Sequence, residues 1–241
     1  MEDLKQMKYK AVIFDMDGTV LDTTVDLRNA LNHALKANGH QSEYTVDHIK
    51  FFFGSGIEVA VKRALAVQNG MNYDELEVIG TPKDNLSFDK KEVSKVQKEF
   101  KKYYLKHCAD NTGPYAGILE LLEELKKRGL QCAVVSNKPH DAVVKLSEDY
   151  FRGAFEYVIG ETETIKRKPA PDMLLKIVKD LNIKKEEVLY VGDSEIDILC
   201  AKNSGIKCLA VTWGFRSKKF LTEHHPDYVI DRPEDLLEVI C

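Results

Sequence analysis

Short, almost continuously apolar runs recur along the chain, and each ends on a polar residue or a glycine. Tyr9–Phe14 ends at Asp15, Cys132–Val135 at Ser136, and Tyr157–Ile159 at Gly160. Val188–Val191 ends at Gly192-Asp193, Cys208–Val211 at Thr212-Trp213, and Tyr228–Ile230 at Asp231. Runs this brief, rich in Val and Ile, suit strands buried on both faces. Helical patterns separate them. Leu119, Leu122 and Leu125 recur at a spacing of three before Gly129, a C-cap position, and Met173-Leu174, Ile177-Val178 and Leu181 recur similarly. Strand–helix–strand alternation predicts an α/β domain with a doubly wound, mostly parallel, Rossmann-like sheet.

One stretch breaks that rhythm. Leu27, Ala30, Leu31, Ala34 and Leu35 form a helical stripe that stops at Gly39. Ile57, Val61, Ala64 and Leu65 form a second, and Val93, Val96, Phe100 and Tyr103 a third, with no comparable strand-like run between them. The expected organisation is therefore a core of residues 1–22 and 108–241, with a smaller all-helical domain of residues 23–107 inserted after the first strand.

Composition narrows the class. Apolar residues make up 44% of the 241, enough for a full core, and 31% are charged, which argues against disorder and a membrane protein. No apolar run approaches a bilayer span, and the first ten residues carry charge throughout. A net charge of −4 gives no basic surface for nucleic acid or an anionic membrane. The five cysteines form no CxxC pair and read as reduced thiols, so the expected location is the cytoplasm.

In an open parallel sheet, ligands bind beyond the carboxyl ends of the strands, where Asp15, Ser136 and Asp193 converge. Asp15 and Asp17 leave the first strand two residues apart, so one can serve as nucleophile and the other as acid/base. A carboxylate attacks an anionic phosphate ester only if cations offset the repulsion, and Mg²⁺ does so through oxygen ligands. Gly18 and Thr19 complete a turn that would approach a phosphate, although Asp-Gly turns are ordinary strand exits. Asp193 and Asp197 lie four apart, on one helical face, and read as a metal site or as a helix cap. Ser136 and Asn137 offer a hydroxyl and an amide to phosphoryl oxygens, or simply form a turn. Lys168, held by Pro169, could balance phosphoryl charge; alone, within the basic run Lys166-Arg167-Lys168, it reads as a surface lysine.

The order nucleophile strand, Ser/Asn strand, lysine loop, acidic strand end resembles the four motifs of the haloacid dehalogenase superfamily. The resemblance is strongest to its phosphoglycolate phosphatase and β-phosphoglucomutase branch, through Asp15-Met16-Asp17-Gly18-Thr19-Val20-Leu21-Asp22-Thr23, Gly192-Asp193-Ser194 and Val211-Thr212-Trp213-Gly214-Phe215-Arg216. It implies that Asp15 is the nucleophile, Asp17 the acid/base, and Ser136 and Lys168 the phosphoryl-binding pair. It implies Mg²⁺ held by Asp15, Asp17 and Asp193, with Asp197 in support, and a helical cap whose loop Gly54-Ser55-Gly56 reaches the substrate. Lys62 and Arg63 are candidates for a substrate carboxylate or phosphate, and equally for solvated helix charges. The implied reaction is hydrolysis of a small phosphate ester, most simply 2-phosphoglycolate, by a monomer or homodimer with no nucleic-acid or membrane partner. A phosphomutase acting on a sugar phosphate and a phosphatase for another metabolite are the alternatives. A dehalogenase would lack an equivalent of Asp17, and a phosphonatase would need a Schiff-base lysine such as Lys62.

Overall fold

The structure, a computed structural model, describes residues 8–81 and 83–241, so the first seven residues assigned to the core lie outside the described residues. Along the chain β1 (Ala11–Asp15) and a two-residue strand at Leu21–Asp22, which pairs with Gly113–Pro114, are joined to four helices: α1 (Thr24–Ala37), α2 (Val46–Phe52), α3 (Ile57–Gln68) and α4 (Lys90–His107). Then come α5 (Ile118–Lys127), β2 (Gln131–Pro139), α6 (His140–Phe151), β3 (Tyr157–Glu161), α7 (Asp172–Leu181) and β4 (Val188–Gly192). The chain ends with α8 (Glu195–Ser204), β5 (Lys207–Val211), α9 (Lys218–Glu223), β6 (Tyr228–Ile230) and α10 (Leu236–Val239). It divides into two compact units, one holding the described residues through Asp22 together with Pro114–Cys241, the other Thr23–Gly113.

The first unit is the expected doubly wound sheet. Its strands run in the order β3-β2-β1-β4-β5-β6, each parallel to its neighbours. Chain order reverses at β1, with β2 on one side and β4 on the other, which makes the carboxyl end of β1 the switch point where ligands bind. Alternation along each strand splits the core in two. Val12, Phe14, Cys132, Val134, Leu189 and Val191 pack with the apolar faces of α5 and α6. Ala11, Ile13, Ala133, Val135, Val188 and Tyr190 pack with those of α7 and α8. Asp15 continues the second series past Ile13, the residue paired with Tyr190 in the register.

The stripe expected in α5 is off by one position. Ile118, Leu121, Leu122 and Leu125 are buried, while Leu119 is 45% exposed. Three-residue spacing advances 300° per step and drifts around the helix, whereas the 118/121/122/125 set follows the true 3.6 period.

The second unit is helical among its described residues. α2 and a 3₁₀ turn at Tyr73–Val78 join the three stripes read from the sequence. α2 is only seven residues long, too short for a periodic stripe, but Thr45 caps it by accepting the His48 N–H. α1 and α4 pack side by side, bridged by His40–Glu92 at 2.8 Å and His33–Glu99 at 3.1 Å. The buried Asp26 carboxylate ties the start of α1 to the segment after α4. It accepts the Asn111 N–H at 2.9 Å, the Asn111 amide at 2.8 Å and the Thr112 hydroxyl at 2.9 Å.

Candidate active site

Asp15 closes β1 and lies only 7% exposed. Lys168, expected as a surface lysine from its local sequence, is 4% exposed instead. Its ammonium donates to Asp15 Oδ1 at 2.6 Å, to Asp197 Oδ1 at 2.7 Å and to the Tyr190 hydroxyl at 3.1 Å. Tyr190 in turn donates to Asp197 Oδ1 at 2.6 Å. Burial alone would favour loss of the lysine proton, but Asp15 and Asp197 outweigh it and hold the group above its ordinary pKa. Asp15 is pushed up to about 7, first by burial and then by Asp197 and Asp17, with Lys168 opposing.

Asp193 follows β4. Burial, with the charges of Asp197 and Asp15, raises its pKa well above the carboxylate range, against the pull of the Phe215 N–H, which donates to Oδ2 at 2.6 Å, and of Arg216. Two glycines let the backbone close on this carboxylate. A Cβ at Gly18, whose φ is +83°, or at Gly214 would run into Asp193 Oδ2. Close packing around Asp193 therefore requires Gly18, in addition to any approach to a phosphate. Arg216 is itself held by a paired contact to Glu195, at 2.8 and 3.0 Å.

Asp15, Asp193 and Asp197 each bring a carboxylate oxygen within 4.8 Å of the others, and all three are buried. Three buried carboxyl groups beside the one ammonium of Lys168 can ionise together only with a further cation among them, and a donor set of oxygen alone suits a hard cation such as Mg²⁺. The members differ in what they have left to give. Asp197 accepts four hydrogen bonds, from Lys168 and Tyr190 on Oδ1 and from the Ser194 N–H and hydroxyl on Oδ2 at 3.2 and 2.6 Å. That fills its usual acceptor capacity, so it steadies Lys168, and Asp15 and Asp193 are the members with oxygens left that could hold a cation.

Asp17 lies beside this group and faces a residue that the motifs did not mark: Lys138 Nζ is 3.0 Å from Asp17 Oδ1. Ser136 is 2% exposed, and its Oγ accepts the Lys138 N–H at 3.2 Å. Asn137 does something other than meet a phosphate. Its carbonyl accepts the Lys168 N–H at 2.8 Å and its amide donates to the Lys168 carbonyl at 3.1 Å, so both ends of the side chain clamp the lysine loop. The Thr19 hydroxyl, fully buried, points at Asp193 Oδ1 across a long 3.5 Å contact, and its carbonyl accepts the Trp213 indole N–H at 3.0 Å. Thr19 and Trp213 thus support the Asp193 side of the site.

Gly54, Ser55 and Gly56 belong to the helical unit, between α2 and α3, with Gly54 and Gly56 at φ +101° and +94°. Lys62 pairs with Glu58 one turn earlier at 2.6 Å, as a solvated helix charge does. Arg63 corrects its expected role as a substrate contact, because it lies inside the helical unit at 2% exposure. Its guanidinium donates to the carbonyls of Leu76, Phe51, Phe52 and Ile79 at 3.1 to 3.3 Å. Arg63→Leu should lower the stability of this unit by about 3 kcal/mol, since the stranded carbonyls are buried, and leave KM unchanged. Urea denaturation beside steady-state kinetics checks this, and a raised KM at full stability would restore the substrate role.

Residues 12–211 match the family model of the haloacid dehalogenase-like hydrolases. The chain is 31% identical to phosphoglycolate phosphatase 1 of Pseudomonas aeruginosa, over 95% of this chain and 78% of that one. It is 31% identical to N-acetylmuramic acid 6-phosphate phosphatase of the same organism, over 98% of this chain and 97% of that one. A crystal structure from Lactobacillus delbrueckii subsp. bulgaricus, described as a proposed phosphoglycolate phosphatase, superimposes with a TM-score of 0.94 at 48% identity, covering 97% of this chain and 99% of the other.

Proposed function

The chain belongs to the haloacid dehalogenase-like hydrolases, and from that premise we propose that it hydrolyses a small phosphate monoester, 2-phosphoglycolate first among them, through an aspartyl-phosphate on Asp15. The observation that carries this reading is a buried carboxylate at the carboxyl end of the central strand, with an ammonium 2.6 Å away and two further carboxylates grouped around it. A lysine that fixes the nucleophile and also carries positive charge suits attack on an anionic phosphoryl group.

In this mechanism Asp15 attacks phosphorus in line, the P–O bond to the leaving group breaks, and Asp17 gives that oxygen a proton. Asp17 then takes a proton from the water that attacks the aspartyl-phosphate, releasing inorganic phosphate and free Asp15. Lys168 and the Ser136 hydroxyl offset charge on the phosphoryl oxygens throughout. Asp15 and Asp193 would hold Mg²⁺, which when bound supplies further positive charge at the phosphoryl group. The helical unit is, in this reading, the cap that selects the ester, with Gly54-Ser55-Gly56 as its recognition loop.

Phosphate release from a panel of esters, with Mg²⁺ and with chelator, tests the proposal. The panel comprises 2-phosphoglycolate, sugar phosphates including N-acetylmuramic acid 6-phosphate, nucleotides and p-nitrophenyl phosphate. Chelator-sensitive release with a preference for phosphoglycolate is the expected result. Preference for another ester would move the substrate and keep the chemistry, whereas turnover only after priming with a sugar bisphosphate would favour a mutase.

A further inference from the structure

Lys138 is 9% exposed, and a charged lysine is rarely buried without a counter-charge. Asp17 supplies one, with Lys138 Nζ 3.0 Å from Oδ1 and the two side chains 10% and 21% exposed. That oxygen is buried and makes no directional hydrogen bond, so a charge contact holds it. Asp17 itself stands in a tight turn, where the Gly18 N–H donates to the Leu21 carbonyl at 2.9 Å, which fixes the backbone there. Lys138 comes from the strand end that places Ser136, two residues away and bonded to the Lys138 N–H. One strand end thus positions both the hydroxyl for the phosphoryl group and the ammonium beside the acid/base.

We infer that Lys138 is the positioning residue of Asp17, holding its carboxylate where the leaving oxygen and then the water exchange a proton with it. The inference rests on the phosphatase reading above. Proton transfer needs hydrogen-bond contact, and a misplacement of about 1 Å costs up to 10²-fold, so an unheld Asp17 slows the steps that need a proton and spares those that do not.

The two kinds of step separate by leaving group. An alkyl ester leaves as an alkoxide and must be protonated, while p-nitrophenolate departs without help. The test compares kcat/KM, which covers the reaction up to the aspartyl-phosphate, for the best alkyl ester of the panel and for p-nitrophenyl phosphate. Lys138→Met should lower the alkyl value about tenfold or more and the p-nitrophenyl value by less than about threefold. Lys138→Arg should restore most of the alkyl rate, and in an Asp17→Asn background Lys138→Met should cost nothing further. Circular dichroism verifies folding, and the Arg variant carries the test if the Met variant misfolds. Equal losses on both esters, or a rise in KM alone, would place Lys138 on the substrate and overturn the inference. Wild-type protein that releases phosphate from neither ester would overturn the phosphatase reading instead, and the role of Lys138 with it.

Discussion

Asp15→Asn should yield a folded protein that releases phosphate at least about 10⁴-fold more slowly than wild type. The amide keeps the shape of the carboxylate but is a poor nucleophile. Folding should survive because the substitution removes one of three buried carboxylates that crowd each other, while Lys168 keeps Asp197 at 2.7 Å and Tyr190 at 3.1 Å. Burial already disfavours the ionised form of Asp15, whose pKa it pushes up to about 7. The melting temperature should therefore hold or rise. Rapid-quench labelling with radioactive ester should trap acyl-phosphate on the wild-type protein and none on the variant. Full activity in Asp15→Asn would strip Asp15 of the nucleophile role.

Lys168→Met should damage stability and turnover together. It strands the Asp15 and Asp197 carboxylates, each 2.7 Å or less from the ammonium, in a site with almost no solvent. Removing one partner of a buried ion pair costs about 3–5 kcal/mol, which lowers the melting temperature by about 10 °C in a chain of this size. Mg²⁺ should recover part of that loss by supplying positive charge to the same carboxylates. Turnover should fall about 10²–10³-fold even with Mg²⁺, because the charge beside the attacked phosphorus is gone. Melting with and without Mg²⁺, beside phosphate release, reads both effects. Unchanged melting and turnover would sink the reading of Lys168 as the central cation.

The sheet was legible because strands buried on both faces leave unmistakable apolar runs, and because polar residues end those runs where the fold gathers its ligands. Asp15 and Asp193 could be found from that pattern, and the motif order added Lys168. Burial of Lys168 could not be read locally, since Lys166 and Arg167 beside it look like surface and only long-range contacts with residues 15, 190 and 197 show otherwise. Asn137 and Lys138 sit next to a recognised motif residue, but a turn residue and a clamp carry the same letters. What marked Lys138 was available in principle: a charged residue two positions beyond Ser136, at the end of an interior strand. Arg63 occupies a polar position on a helix, and only the carbonyls it meets reveal that it is structural.

The Asp26 clasp has a consequence for assembly of the sheet. β1 must pair with β2, and Ala11 stands opposite Gln131 across more than a hundred residues of intervening chain. Asp26 joins the two ends of the helical insertion through Asn111 and Thr112. Once that insertion has closed on itself, the span to be looped shrinks to a few tens of residues. Because closure entropy grows as the logarithm of loop length, the saving is about 1 kcal/mol, enough to let central strands meet severalfold more often. An insertion that closes before the strands meet would act as a splint for the sheet's own folding.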